Sequence, residues 1–147
     1  MIGFPNKDLL KTPNVIIVDN NPAHRNLTRY YLESSRSCKV CSMVSYDECI
    51  YRLGKNPDFD FIVSELIPDE TQALAFLENV REISSSVRVI FFARFNDPSA
   101  ALRLHDAGAT DYLVKSSGPD MGVAELIKNI RYLTREKALD RDPAPLT

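Results

Sequence analysis

Short, densely apolar runs alternate along the chain with stretches in which apolar residues recur three to four positions apart. Asn14–Val18 (NVIIV) is continuously apolar, as a strand buried on both faces should be. Asn21-Pro22 then opens a helix, with Asn as its cap and Pro at its first position. Ala23, Leu27, Tyr30 and Tyr31 follow at helical spacing. Lys39–Val44 reads as a second strand. Ser45-Tyr46-Asp47-Glu48 fits a capping box that starts a helix with Cys49, Ile50 and Leu53 on its apolar side. Phe59–Leu66 (FDFIVSEL) is the third strand, and Thr71–Ile83 a helix through Leu74, Leu77 and Val80. Val87–Phe92 (VRVIFF) is the fourth strand. Asp97-Pro98 starts a helix that ends near Ala107-Gly108, where glycine suits a C-terminal cap. Asp111–Val114 is a short fifth strand. Ala124–Lys137 closes the pattern as a helix striped by Leu126, Ile127, Ile130 and Leu133. Residues 1–12 read as an N-terminal extension, 13–137 as the domain, and 138–147 as a flexible tail or linker, polar and Pro-rich from Asp140 on.

Strands and helices in strict alternation predict an α/β fold: a parallel sheet covered by helices on both faces. In such sheets function gathers at the carboxyl ends of the strands. Asp19 and Asn20 follow the first strand, Ser64 and Glu65 end the third, Ala93 and Arg94 follow the fourth, and Lys115 and Ser116 follow the fifth. A polar cluster of both signs is therefore expected at one rim of the sheet.

Composition narrows the classes. At 147 residues, 44% hydrophobic and 26% charged, the chain has the makeup of one ordinary globular domain. Its 18 Lys+Arg against 20 Asp+Glu give no basic excess, so no nucleic-acid binding is expected of this domain. Three cysteines argue against a disulfide framework. No apolar run is long enough for a membrane span, and a soluble, cytoplasmic protein is expected. Cys38-Lys39-Val40-Cys41 has the C-x-x-C spacing. On a strand, however, residues i and i+3 face opposite sides, which suits neither a redox pair nor a zinc site. His24 and His105 fall on helices and are expected to be exposed, without a ligand partner. The first strand is followed by DNNP and no Gly-rich phosphate loop, which disfavours a nucleotide-binding enzyme.

Three segments carry a family resemblance. VDNNPxxR (Val18–Arg25), IVSE (Ile62–Glu65) and GATDYLVK (Gly108–Lys115) resemble, in this order, the motifs of the receiver domain of two-component response regulators, over roughly residues 13–137. The resemblance implies a flavodoxin-like (βα)5 doubly wound parallel sheet of strand order 2-1-3-4-5. It also implies a protein that is not an enzyme and that acts in phosphorelay signalling. The family holds Mg²⁺ with two acids after the first strand and accepts phosphoryl on an Asp ending the third. A Ser/Thr after the fourth strand and a Lys after the fifth contact the phosphoryl group, and an aromatic near that Lys moves with the switch.

Carried over by position, Asp19 matches the first acid, and Asn20 stands where the second acid is usual. Glu65 matches the phosphoacceptor; counting back from Pro68 would instead select Ser64. Ala93 matches the Ser/Thr, Lys115 the Lys and Tyr112 the aromatic switch. The family's Lys-Pro step is Lys115-Ser116 here, so a trans bond is expected. Each departure has a consequence. Glu extends the carboxylate by about 1.5 Å relative to Asp, and a misplacement near 1 Å can cost about 100-fold where displacement geometry is strict. Asn20 removes a negative charge, so Mg²⁺ binding is expected to be weak or absent and no cofactor is expected. Ala93 offers phosphate no hydroxyl but leaves room for Tyr112 to turn inward. Glu65 could reach Lys115 as a phosphoryl oxygen would. Arg94, at the pocket mouth, is a candidate gate able to pair with Glu65 or Asp19.

The expectation is a degenerate receiver, a phosphorylation-independent protein-interaction module. Its partner would be a protein such as a histidine kinase or an output domain. A homodimer through the face of the fourth helix, fifth strand and fifth helix is the other candidate association. The alternative is a still phosphorylatable receiver, through Glu65, Ser64 or a nearby acid such as Asp69, cut from a longer regulator.

Overall fold

The computed structural model describes residues 12–141. Five strands, β1 (Asn14–Val18), β2 (Lys39–Met43), β3 (Phe61–Ser64), β4 (Arg88–Ala93) and β5 (Asp111–Val114), form one parallel sheet of order β2-β1-β3-β4-β5. Between and after them run α1 (Pro22–Ser34), α2 (Tyr46–Lys55), α3 (Glu70–Ile83), α4 (Pro98–Asp106) and α5 (Val123–Arg141). This is the expected flavodoxin-like arrangement.

The apolar runs of β1, β3 and β4 are continuous because each strand faces a core on both sides. Ile16, Val18, Ile62, Val89 and Phe91 point to one face, against Leu53 of α2, Phe76 and Leu77 of α3, and Leu104 of α4. Their neighbours Val15, Ile17, Phe61, Val63, Ile90 and Phe92 point to the other, against Leu32 of α1 and Leu126 and Ile130 of α5. The period of two along a strand assigns alternate residues to the two cores. The edge strands β2 and β5 are only half-buried.

Side-chain caps set where helices begin. Asn21 accepts from the His24 amide at 3.1 Å, Ser45 from Glu48 at 3.2 Å, and Asp97 from Ala100 at 3.0 Å. Asp69 caps α3 through the Gln72 amide, so that helix starts at Glu70, one residue before the expected Thr71. Gly108, just past α4, has φ +111°, the left-handed region that a Cβ would strain.

Two further boundaries differ from expectation for identifiable reasons. β3 stops at Ser64 and not at Leu66, because the Leu66 amide bonds the Glu65 carboxylate at 2.8 Å and leaves the ladder. The last helix runs to Arg141, four residues beyond the expected Lys137. Glu136, Lys137, Ala138 and Leu139 are all good helix formers, and no proline interrupts before Pro143. The helix thus continues into the segment expected as a tail or linker; residues 1–11 and 142–147 of the expected extension and tail lie outside the described residues. The Lys115–Ser116 bond is trans, and a cis bond stands at Ile67–Pro68. No described helix is long and apolar enough to cross a membrane.

Candidate functional site

The carboxyl ends of β1, β3 and β5 bring Asp19, Glu65 and Lys115 together. The Lys115 ammonium donates to Asp19 Oδ2 at 2.7 Å and to Glu65 Oε2 at 2.9 Å. All three side chains are nearly closed off, at 4–8% exposure. At such depth an ion pair is much less screened than a surface pair. Backbone contacts fix both carboxylates: Asp19 Oδ1 accepts from the Asn21 amide at 2.9 Å, and Glu65 Oε1 from the Leu66 amide. The Phe92 ring centroid lies 5.6 Å from the ammonium.

The two candidate acceptor positions differ in direction. Ser64 is buried and turns its hydroxyl back to donate to the Glu65 carbonyl at 2.7 Å. Glu65 presents the carboxylate to the pocket. Its backbone is also held from the far side by Tyr46, whose hydroxyl donates to the Glu65 carbonyl at 2.8 Å and accepts from the Ile67 amide at 3.0 Å. The Tyr46 ring stacks on Phe76 at 4.1 Å, and burial pushes its phenol up to about 12. It thus stays a neutral donor throughout the working pH range. In the sequence Tyr46 stands out only as a member of the capping box that starts α2.

A cavity of about 540 Å³ opens beside the ion pair, lined among others by Asn20, Glu65, Asp69, Ala93, Arg94 and Tyr112. Asn20 is exposed, and Ala93 is buried with only a methyl to offer. Tyr112 packs partly against the first core, and its hydroxyl donates to the Phe95 carbonyl at 2.8 Å. Burial, and then the charge of Asp97, raise its phenol above the ordinary value. Arg94 corrects an expectation. It is exposed on the rim with its guanidinium 5.3 Å from the Phe95 ring centroid, and among the described residues it pairs with neither Glu65 nor Asp19. β4 ends at Ala93, and Arg94 belongs to the exposed loop, residues 94–97, that leads to α4.

His24 corrects another. It is half-buried, not exposed, and its Nδ1 lies 3.1 Å from the Lys115 ammonium. The signal was available: His24 sits in the first turn of α1, and helical side chains lean toward the helix N-terminus, here toward Asp19. His105 is exposed, as expected. The three cysteines are free thiols. Cys38 and Cys49 are packed in opposite cores, where burial pushes both up to about 12.

Comparison with known proteins agrees with this geometry. The sequence model of the response regulator receiver domain matches residues 15–129. The chain belongs to the response-regulator receiver family. It is 28% identical over 109 residues to the two-component response regulator ORR11 of Oryza sativa subsp. japonica, covering 73% of this chain and 74% of that one. It is equally identical over 107 residues to the nitrate/nitrite response regulator protein NarP of Escherichia coli K12, covering 73% and 50%. A response regulator structure from Thermotoga maritima superposes with TM-score 0.73 at 19% identity, covering 84% of this receiver and 98% of that chain. A LuxR-family two-component response regulator from Aurantimonas gives TM-score 0.73 at 22% identity, covering 86% and 87%. This receiver is accordingly a part of two-component signalling and works through protein partners.

Proposed function

We propose that this receiver is a phosphorylation-independent interaction module and not a phosphoryl-accepting switch. The observation that carries the reading is the closed ion pair: Lys115 holds both pocket carboxylates, Asp19 and Glu65, at hydrogen-bond distance. A phosphoryl group would have to enter at an acceptor one methylene too long, already bonded through both oxygens, and opposite an alanine. The Mg²⁺ that the family uses does not fit these residues. The pocket offers two carboxylates, an amide at the second acidic position and an imidazole, where a hard cation wants oxygen anions. The Glu65–Lys115 contact stands in for the contact a phosphoryl oxygen would make. Tyr112, anchored on the Phe95 carbonyl beside the small Ala93, is held over the pocket in keeping with one fixed state. In this reading the module has no catalytic activity and works in the cytoplasm. Its candidate partner face is α4, β5 and α5, where Leu102 and Val114 are exposed. A histidine kinase, an output domain or a second copy are the partner types.

Amide NMR spectra with and without Mg²⁺ and beryllofluoride test this. Unchanged signals at Asn20, Glu65, Ala93 and Lys115 are expected. Saturable shifts there, spreading to Tyr112 and α4, would overturn the reading. So would a mass gain of one phosphoryl group on Glu65, Ser64 or Asp69 with a phosphodonor.

A further inference from the structure

Lys115 Nζ is surrounded by acceptors of two kinds: carboxylate oxygens of Asp19 and Glu65 at 2.7 and 2.9 Å, and the imidazole Nδ1 of His24 at 3.1 Å. Ligating atoms of Asp19, His24 and Glu65 all lie within 4.8 Å of one another. The ammonium therefore marks a point on which three cation-binding groups converge. They come from three different places: the end of β1, the first turn of α1 and the end of β3. Each is fixed by a further contact. The Asn21 amide holds Asp19, the Asn21 side chain holds the His24 backbone, and the Leu66 amide holds Glu65. Outer contacts of this kind are what orient metal ligands.

We propose that this cage takes a borderline divalent cation of the Zn²⁺ class through Asp19, His24 and Glu65, with the Lys115 ammonium as the internal competitor that the metal displaces. Donor chemistry selects the ion. One imidazole with two carboxylates suits Zn²⁺ or Co²⁺, whereas Mg²⁺ keeps to oxygen ligands. Charge favours the exchange. With the ammonium in place, the two carboxylates and one cation sum to −1, and a divalent ion at the same point neutralises both carboxylates. Distance asks for a modest contraction. Zinc bonds to N and O are about 2.0–2.2 Å, so each donor draws in by roughly 0.8 Å from its contact with the ammonium. The adjoining cavity of about 540 Å³, bounded by Asp19, Glu65 and Ala93, gives the displaced lysine side chain room. The inference deepens the reading of the pocket as one without a Mg²⁺ site and rests on it. It makes the pocket metal-responsive by a different ion, with Lys115 and the metal as alternative occupants.

Calorimetric titration of the full chain with Zn²⁺ alone, Co²⁺ alone and Mg²⁺ alone tests the proposal, on the native sequence and on Lys115→Met, His24→Gln and the double variant. Removing the competitor should tighten Zn²⁺ about tenfold, and removing the imidazole should weaken it about tenfold in either background. Co²⁺ should give visible absorption bands that His24→Gln abolishes. Mg²⁺ should not respond to His24→Gln. Zinc binding that survives His24→Gln unchanged, or Lys115→Met with no gain, overturns the proposal. If Lys115→Met does not fold, the native chain against His24→Gln decides alone, by whether Zn²⁺ shifts the amides of Asp19, His24 and Glu65. Failure of the phosphate-blind reading registers separately, as beryllofluoride-dependent shifts without zinc.

Discussion

His24 Nδ1 and the Lys115 ammonium, 91 residues apart in sequence, meet at 3.1 Å. An ammonium has only donors, so the imidazole nitrogen facing it must carry a lone pair. Neutral His24 is thereby held as the Nε2–H tautomer. Long-range proton–nitrogen NMR correlations at neutral pH should show Nδ1 as the unprotonated nitrogen. A Nδ1–H pattern would mean that the contact does not form.

Lys115 is the only cation that Asp19 and Glu65 touch among the described ion pairs. Lys115→Met leaves two carboxylates facing each other at 5% and 8% exposure. Breaking a buried pair by removing one partner costs roughly 3 kcal/mol. Urea unfolding at pH 7 should show that loss. A variant as stable as the native chain at pH 7 would show that the pair contributes nothing net.

Asp120 opens the last helix by accepting from the Gly122 and Ala124 amides, each at 3.0 Å. These bonds favour the ionised form, and they hold its carboxyl below the ordinary 3.8. A depressed folded-state value stabilises above the unfolded value and is lost as pH falls through the folded one. Thermal melts from pH 6 to pH 2 should therefore lose less on the acid side in Asp120→Asn than in the native chain. Parallel acid limbs would remove Asp120 from the account.

The thiols divide by burial. Cys38 and Cys49 are both pushed up to about 12 by desolvation, so they stay protonated at neutral pH. Cys41 is half-buried on the edge strand β2. A thiol reagent at pH 8 should label one cysteine rapidly in the native protein and all three after denaturation. Rapid labelling of Cys49 would mean that the first core opens readily.

What the sequence disclosed and what it hid follow from the range of the interactions. Strands β1, β3 and β4 were legible because burial on both faces leaves an uninterrupted apolar run. Caps at Asn21, Ser45 and Asp97 were legible because they act over three residues. The pocket members Asp19, Glu65 and Lys115 came from motif position and were brought together by the fold. For His24 only the lean of the first turn of α1 toward Asp19 was legible; its partner Lys115 arrives from the end of β5, 91 residues away. Tyr46 was hidden for the same reason: its partners, Glu65 and Ile67, lie about 20 residues away across the sheet edge. The end of β3 was misjudged because a side chain, Glu65, captures the next backbone amide.

The three departures at the pocket should be separable by reverting them. Glu65→Asp alone shortens the acceptor but leaves an amide at Asn20 and no hydroxyl at Ala93, so Mg²⁺ still lacks a carboxylate and phosphate still lacks a donor. Asn20→Asp restores the charge that a hard cation requires. Ala93→Thr supplies the missing donor beside the cavity that Ala93 and Glu65 already share. The combined variant Asn20→Asp, Glu65→Asp, Ala93→Thr should gain one phosphoryl group from acetyl phosphate in the presence of Mg²⁺, read by intact mass, while the native chain gains none. Glu65→Asp alone should give at most a small fraction of that gain. If Glu65→Asp by itself labels fully, acceptor length was the whole obstacle, and the Asn20 and Ala93 arguments fail. If the combined variant does not label, the obstacle is the Lys115–His24 cage itself, and adding His24→Ala should then release it.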